Sequence, residues 1–451
     1  MATARRNGMA MPPAQQKGPS MRHASSPTRH RIALAAALLV ALAPAAWAAE
    51  EVCALEGGET ILFFGDSITQ GGAYVEDVEA FLITRFPDKE FHIVNAGISS
   101  ETISGTSEPD HDPRRPWAHE RFERDVAAAE PDIVVACFGM NDGNYHPFDR
   151  LKFQKYRAGV RRLIDRCKRI GARTVFMTPP PFDPYRRRAG DPDAVHYGYR
   201  YPAVDYDVTL EVYSDFLVGL RPEGFLVAPV HDAMNRHLRE RRKEKVSFFL
   251  SGDAVHPNAT GHWLMAQTLL ETLGVPADVA HAEIDAKAMK VLAGDVKGLK
   301  KENGGIAFTW ATPLPMPVDP AWDAKSLAVE RTFDRLSRYT LTVTGLAAGR
   351  WRLETDGKPV AEVTAVDLAS GLDLNAVPEW PRTADAREVL KQIQQRRRVI
   401  YKAWRQGLRT GKEGAGQDAV RKAEADTADL LKRARTLARP RPVDVRIVPA
   451  K

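Results

Sequence analysis

The stretch Ile61-Leu62-Phe63-Phe64-Gly65-Asp66-Ser67-Ile68 decides how the chain is read. A short apolar run that ends at a glycine predicts a strand buried on both faces, which then hands a serine to the turn before a helix. A strand of that kind needs helices over both of its faces. Similar runs recur at Phe91–Val94, Ile133–Phe138, Thr174–Met177 and Phe225–Ala228. Helix-like stretches separate them at Val75–Arg85, His119–Ala129, Phe153–Ile170, Leu210–Leu220 and Ala259–Leu273. The alternation predicts an α/β domain whose parallel sheet is covered on both sides. Such sheets bind ligands beyond the carboxyl ends of their strands, so the residues after each strand are the place to look for chemistry.

Four turns supply chemically useful groups. Ser67 follows the first strand, where its hydroxyl can meet a substrate. Asn95-Ala96-Gly97 follows the second, and a residue without a Cβ lets the chain pass close to a ligand. Gly139-Met140-Asn141-Asp142 follows the third, with an amide able to donate to a developing oxyanion. Asp253-Ala254-Val255-His256-Pro257 precedes the last helix, and Pro257 biases His256 away from helical geometry. An aspartate three residues before a histidine can fold back onto the imidazole Nδ1–H and leave Nε2 to accept from a serine hydroxyl. Each turn alone has a plainer explanation as a cap, a tight turn or a surface loop. In this order they provide a nucleophile, oxyanion donors and a base.

These residues resemble the blocks of the SGNH (GDSL-type) serine hydrolases: Gly65-Asp66-Ser67-Ile68, Gly97, Gly139-Met140-Asn141-Asp142, and Asp253 to His256. The resemblance covers roughly residues 60–274, with Ile68 in place of the leucine of the family's name. It implies a flavodoxin-like three-layer α/β/α sandwich and hydrolysis of carboxylic esters through an acyl-enzyme, with no metal or organic cofactor. Ser67 would be the nucleophile, His256 the base and Asp253 its orienting carboxylate. The oxyanion hole would consist of the Ser67 and Gly97 amides and the Asn141 side chain.

The first 48 residues have the anatomy of an N-terminal extension and a signal peptide: basic Arg29 and Arg31, an apolar run Ile32–Leu42, and Ala46-Trp47-Ala48 as a cleavage site. The run is too short to span a bilayer, so a periplasmic or extracellular protein without stable membrane insertion is expected. The formal charge is +6, but residues 1–48 hold six of the 64 basic residues and none of the 58 acidic ones. The remainder is balanced, which removes the electrostatic case for a nucleic-acid partner. Three cysteines are too few for a disulfide framework, and Cys137 and Cys167 read as small buried apolar residues. Cys53 lacks a lipidation-type context. Asp110, His111, Asp112, His119 and Glu120 lie close together, but Pro109, Pro113 and Pro116 mark the segment as a surface loop rather than a metal site. Trp117, Tyr145, His146, Phe182 and Tyr185 follow strands and either line a cleft or serve as packing.

Residues 49–280 thus form the expected hydrolase domain. A small antiparallel β region follows over residues 281–380, with strands at Gly305–Trp310, Tyr339–Leu346, Trp351–Thr355 and Pro359–Thr364, the last two joined by a tight Asp356-Gly357 turn. Residues 381–451 read as a helical hairpin and tail, with Leu390, Ile393, Ile400 and Trp404 at helical spacing and Arg396–Arg398 on a solvated face. The expected substrate is a small-molecule or polysaccharide ester, acetyl on carbohydrate foremost. A lipase, lysophospholipase or thioesterase of the same fold is the nearest rival, and a non-catalytic glycan- or envelope-binding protein the rival of another class.

Overall fold

The computed structural model describes residues 54–187, 195–409 and 415–450. The expected signal segment, Cys53, part of the 179–199 loop and most of the glycine-rich link before residue 416 lie outside the described residues.

Five strands, β1 (Thr60–Gly65), β2 (His92–Asn95), β3 (Ile133–Cys137), β4 (Arg173–Met177) and β5 (Leu226–Ala228), pair in parallel in the order β2-β1-β3-β4-β5. This is the flavodoxin-like order, whose switch point lies between β1 and β3. Alternation along β1 explains why both faces are apolar: Ile61 and Phe63 enter one core, Leu62 and Phe64 the other. Helices α1 (Ser67–Gly71), α2 (Ala73–Arg85), α3 (Arg150–Arg169), α4 (Tyr206–Val218), α5 (Val230–Glu244) and α6 (Ala259–Thr272) complete the layers. Residues of α2, α5 and α6 pack on the Phe63 side, and residues of α3 with Tyr213 and Leu217 of α4 on the Phe64 side. The helix expected over His119–Ala129 is instead a succession of short turns at Ala118–Glu120, Phe122–Val126 and Ala127–Ala129. There Arg121 and Asp125 are buried, and Arg121 pairs with both Glu101 and Asp125.

Beyond this domain come β6 (Asp278–Asp285), β7 (Lys290–Ala293), β8 (Val296–Glu302) and β9 (Gly305–Thr312), then α7 (Ala324–Val329), α8 (Thr332–Leu336) and β10 (Arg338–Thr344). They are followed by β11 (Arg350–Thr355), β12 (Lys358–Thr364), α9 (Ala365–Ser370) and β13 (Leu372–Asp373). Last are the long α10 (Pro381–Arg409), α11 (Ala415–Asp426), α12 (Ala428–Ala438) and β14 (Arg441–Pro449). Two sheets result, β13-β10-β6-β7 and β12-β11-β14-β9-β8, sharing one apolar core that includes Ile284, Leu341, Phe308, Trp310 and Ile447. Most pairings are antiparallel as expected, but β6 and β10 run parallel. Asp356 and Gly357 both have positive φ, the geometry of a two-residue hairpin turn.

Two expectations about the C-terminal part need correction. The tail is not an appendage: β14 is the middle strand of its sheet, between β11 and β9, so the hairpin leaves the sheet after β12 and its adjoining elements and returns to it. Nor are Arg396–Arg398 all solvated. Arg398 is exposed, but Arg396 and Arg397 are buried against α2, with Arg397 Nε donating to Glu79 Oε2 at 2.5 Å and Arg396 Nη1 to Glu79 Oε1 at 3.3 Å. The cations lie on the packed side of α10 because α2 offers them a buried carboxylate, a partner 317 residues away in sequence. Around them Ala80 and Ile83 pack with Val389, Leu390, Ile393, Ala434 and Ala438.

Candidate active site

Ser67 opens α1 directly after β1, at the carboxyl edge of the sheet. The N-cap of α1 is Asp66, whose Oδ1 accepts from the Ile68 amide at 3.0 Å. The serine hydroxyl is therefore not spent on capping. It lies 2.9 Å from His256 Nε2.

His256 comes from the loop before α6, closed at its base by a bridge between Ser251 and Pro257. Ala254 within it has φ 74°, a left-handed conformation that lets the loop double back. The helix begins at Ala259, as its pattern predicts: Asn258 is its N-cap, with Oδ1 accepting from the Gly261 amide at 2.9 Å. Doubling back brings Asp253 Oδ2 to 2.7 Å from His256 Nδ1, while Asp253 Oδ1 accepts from the His256 and Val255 amides at 2.8 and 3.1 Å. Partial burial alone would raise the Asp253 carboxyl, but these bonds outweigh it and hold the group below the usual carboxylate range. It is ionised at any working pH. Tyr199 also donates to Asp253 Oδ2, at 3.0 Å, and its ring meets His256 edge to face at 6.2 Å.

Gly97 and Asn141 converge on the same edge, each with its hydrogen bonds already engaged. Gly97 lacks a Cβ because the Thr69–Gln70 backbone occupies that space: an added Cβ would sit 2.2 Å from Gln70 N. Its amide donates to Asn95 Oδ1 at 3.0 Å, and its carbonyl accepts from Trp404 Nε1 of α10, also at 3.0 Å. Asn141 is buried. Its Nδ2 donates to the Glu101 carbonyl at 3.1 Å and faces Asp66 Oδ2 at 3.4 Å. Of the three expected oxyanion donors, only the Ser67 amide has no protein acceptor among the described residues. The other two would share a hydrogen with an oxyanion.

The wall behind Ser67 is acidic and buried. Burial pushes Asp66 up to about 7, Glu101 to about 7 and Asp142 to about 6, although the Ile68 amide opposes the shift at Asp66, Arg121 at Glu101 and Ser104 at Asp142. Asp142 Oδ1 accepts from the Ser104 amide at 2.8 Å, and its Oδ2 is buried without a protein partner among the described residues.

Among the aromatic candidates, Tyr145 packs behind Asn141 and donates to its Oδ1 at 3.1 Å, Phe182 is in the core, and Tyr185 stands in solvent. His119 bonds the Gly159 carbonyl and His111 the Pro113 carbonyl. Among the described residues no group of three or more His, Cys, Asp or Glu is placed to hold a metal ion, and no helix is long and apolar enough to cross a membrane. Cys137 and Cys167 are free and buried. Sequence patterning missed Tyr199, Arg115 and Trp404, whose contacts with the site are made across long gaps in sequence.

Fold and site define a carboxylic ester hydrolase. Residues 63–264 match the GDSL-like Lipase/Acylhydrolase family, which supports reading this α/β domain as an SGNH (GDSL-type) hydrolase. An acetylxylan esterase of Geobacillus stearothermophilus is 28% identical over 244 residues, covering 48% of this chain and 94% of that protein. The structure of a gut microbial diltiazem-metabolizing enzyme superposes with a TM-score of 0.71 at 19% identity, over 88% of this chain and 98% of that one. Its fold therefore extends past the α/β domain into the accessory sheets and hairpin. A catalytic mutant of the Geobacillus acetylxylan esterase has a TM-score of 0.38 at 24% identity, over 49% of this chain and 97% of that one.

Proposed function

We propose that the protein is an exported serine esterase that removes short acyl groups, acetyl foremost, from carbohydrate through an acyl-enzyme on Ser67. The observation that carries the mechanism is the unbroken chain from Ser67 Oγ through His256 to Asp253 at the carboxyl end of β1. Ser67 Oγ attacks the ester carbonyl while His256 Nε2 takes its proton, and Asp253 stabilises the imidazolium through Nδ1–H. The negative oxygen is received by the Ser67 amide, with Gly97 N–H and Asn141 Nδ2 turning part of their donation toward it. His256 then protonates the departing alcohol. Water, deprotonated by His256, attacks the acyl group and releases the acid with Ser67 restored.

The preference for acetyl rests on the polarity of Tyr199 and Asn141, which bond Asp253 and face Asp66 beside the Ser67–His256 pair, and on the acetylxylan esterase relative. An apolar tunnel would favour each added methylene by about 0.8 kcal/mol, roughly fourfold in the specificity constant. Export rests on the N-terminal sequence alone, and cell fractionation of the full chain tests it: recovery in the cytosol would refute it. For the chemistry, a fluorophosphonate should label the wild type on Ser67, as mapped by mass spectrometry, and leave Ser67→Ala unlabelled and inactive. Labelling elsewhere, or near-wild-type turnover by purified Ser67→Ala, would remove Ser67 from the mechanism. On acylated sugars and p-nitrophenyl esters, kcat/KM should fall from acetyl through butyryl to octanoyl. A steady rise would make the protein a lipase-type enzyme.

A further inference from the structure

Behind Asn141 stands an ion pair with one corner left over. Arg115 Nε and Nη2 meet Glu108 Oε2 and Oε1 at 2.5 and 2.6 Å, a two-pronged contact in which both side chains are almost wholly buried. Its remaining nitrogen, Nη1, donates to Asn141 Oδ1 at 3.0 Å and more weakly to the Ser100 carbonyl at 3.3 Å. We propose that Arg115, held by Glu108, is a positioning residue that fixes the Asn141 amide and strengthens its Nδ2–H as an oxyanion donor. This inference rests on the oxyanion role given to Asn141 above.

A buried ion pair is costly to desolvate and is often replaceable by apolar packing without loss of stability. Holding the loop between β2 and β3 in place thus does not by itself call for a guanidinium. The guanidinium offers what apolar packing lacks, which is a charged donor aimed at one amide oxygen. Arginine has no acceptor, so a flipped Asn141 would set its NH2 group against the Arg115 donors. The orientation with Nδ2 toward Ser67's wall, near the Glu101 carbonyl and Asp66, is thereby enforced. Tyr145 adds a second donor to the same oxygen. Hydrogen bonds in a chain polarise one another, so charge drawn toward Oδ1 leaves Nδ2–H more positive. Through Ser100, which follows Gly97 with φ 63°, the same side chain also ties the second loop to the third.

The test is a double-mutant cycle on kcat, KM and Tm with an acetyl ester. The paired variant Glu108→Met/Arg115→Met removes the cation without stranding the carboxylate, and Tyr145→Phe removes the second donor. Asn141→Ala should lower kcat by roughly 10²–10³-fold, as loss of an oxyanion donor does. The paired variant should lower kcat roughly tenfold, within the coupling range of contacting residues, with KM and Tm little changed. In the Asn141→Ala background the same substitutions should alter kcat less than about twofold, because the group they act through is gone. Tyr145→Phe should show a smaller drop that likewise vanishes, and this cycle decides the matter if the paired variant does not fold. Drops that persist undiminished without Asn141, or unchanged kcat in the paired variant and Tyr145→Phe, would overturn the role of Arg115. An unchanged kcat in Asn141→Ala would overturn the oxyanion reading itself, and the positioning role with it.

Discussion

Replacing Glu79 by methionine should loosen the grip of the C-terminal hairpin on the hydrolase domain. Glu79 accepts from both Arg396 and Arg397, and all three side chains are about 5% exposed. Removing one partner of a buried pair costs about 3–5 kcal/mol, because an uncompensated charge remains. Arg397 keeps the Ile93 carbonyl at 2.9 Å and Arg396 keeps Glu424 at 3.6 Å, which places this variant near the lower end, about 3 kcal/mol. Both elements belong to the compact unit Glu51–Lys451. At roughly 2.1 cal/mol/K of unfolding entropy per residue, that loss lowers Tm by about 4 °C in a single transition. Scanning calorimetry of the full chain reads it directly. The triple variant Glu79→Met/Arg396→Met/Arg397→Met removes the stranded charges as well and should recover most of the loss. A drop below about 1 °C in the single variant, or a triple variant as unstable as the single one, would show that buried charge does not hold α10 against α2.

Three further outcomes follow from the site. Asp253→Asn should lower kcat by several orders of magnitude while KM moves little, since an amide favours the wrong imidazole tautomer; an unchanged kcat would mean that Tyr199 or another group orients His256. Because Asp253 stays ionised below neutral pH, kcat/KM should rise with pH as the His256–Asp253 pair loses its proton; a rate that does not change with pH through the acid range would contradict this. Asp66, held at about 7 against an ordinary 3.8, keeps in the folded state a proton that the unfolded chain releases, so its contribution to stability is present below about pH 4 and lost as pH rises to about 7. Asp66→Asn should therefore lose less stability than the wild type across that window in urea titrations, and parallel curves would show that Asp66 is ionised in the fold.

What could be read from residues alone was whatever depends on local order. The five buried strands, the turns after them and the Asp253-to-His256 spacing are local patterns, and the structure sets His256 within hydrogen-bonding distance of both Ser67 and Asp253. Partners supplied from far away could not be read. Arg396 and Arg397 look like surface cations until α2 presents Glu79, and Trp404 looks like core until its indole reaches the Gly97 carbonyl. Helix α5 went unpredicted because Arg239–Glu244 is densely charged, although Val230, Met234 and Leu238 form a buried stripe one turn apart. Strand β14 alternates Val443, Val445 and Ile447 inward, but its neighbours β9 and β11 lie on the far side of the hairpin in sequence.

That placement of β14 has a consequence for how the molecule comes into being. Its contacts with β9 and β11 span roughly a hundred residues or more, and long-range pairing of this kind closes slowly because the intervening chain must first be ordered. During synthesis the α/β domain can complete its own core early, whereas β9 and β11 wait with facing edges unpaired until residues 441–449 arrive. Unpaired edges in a half-made sheet invite intermolecular pairing. The hairpin precedes β14 in the chain, and by docking on α2 it would deliver β14 to the gap on a short tether, turning the slow search into a local one.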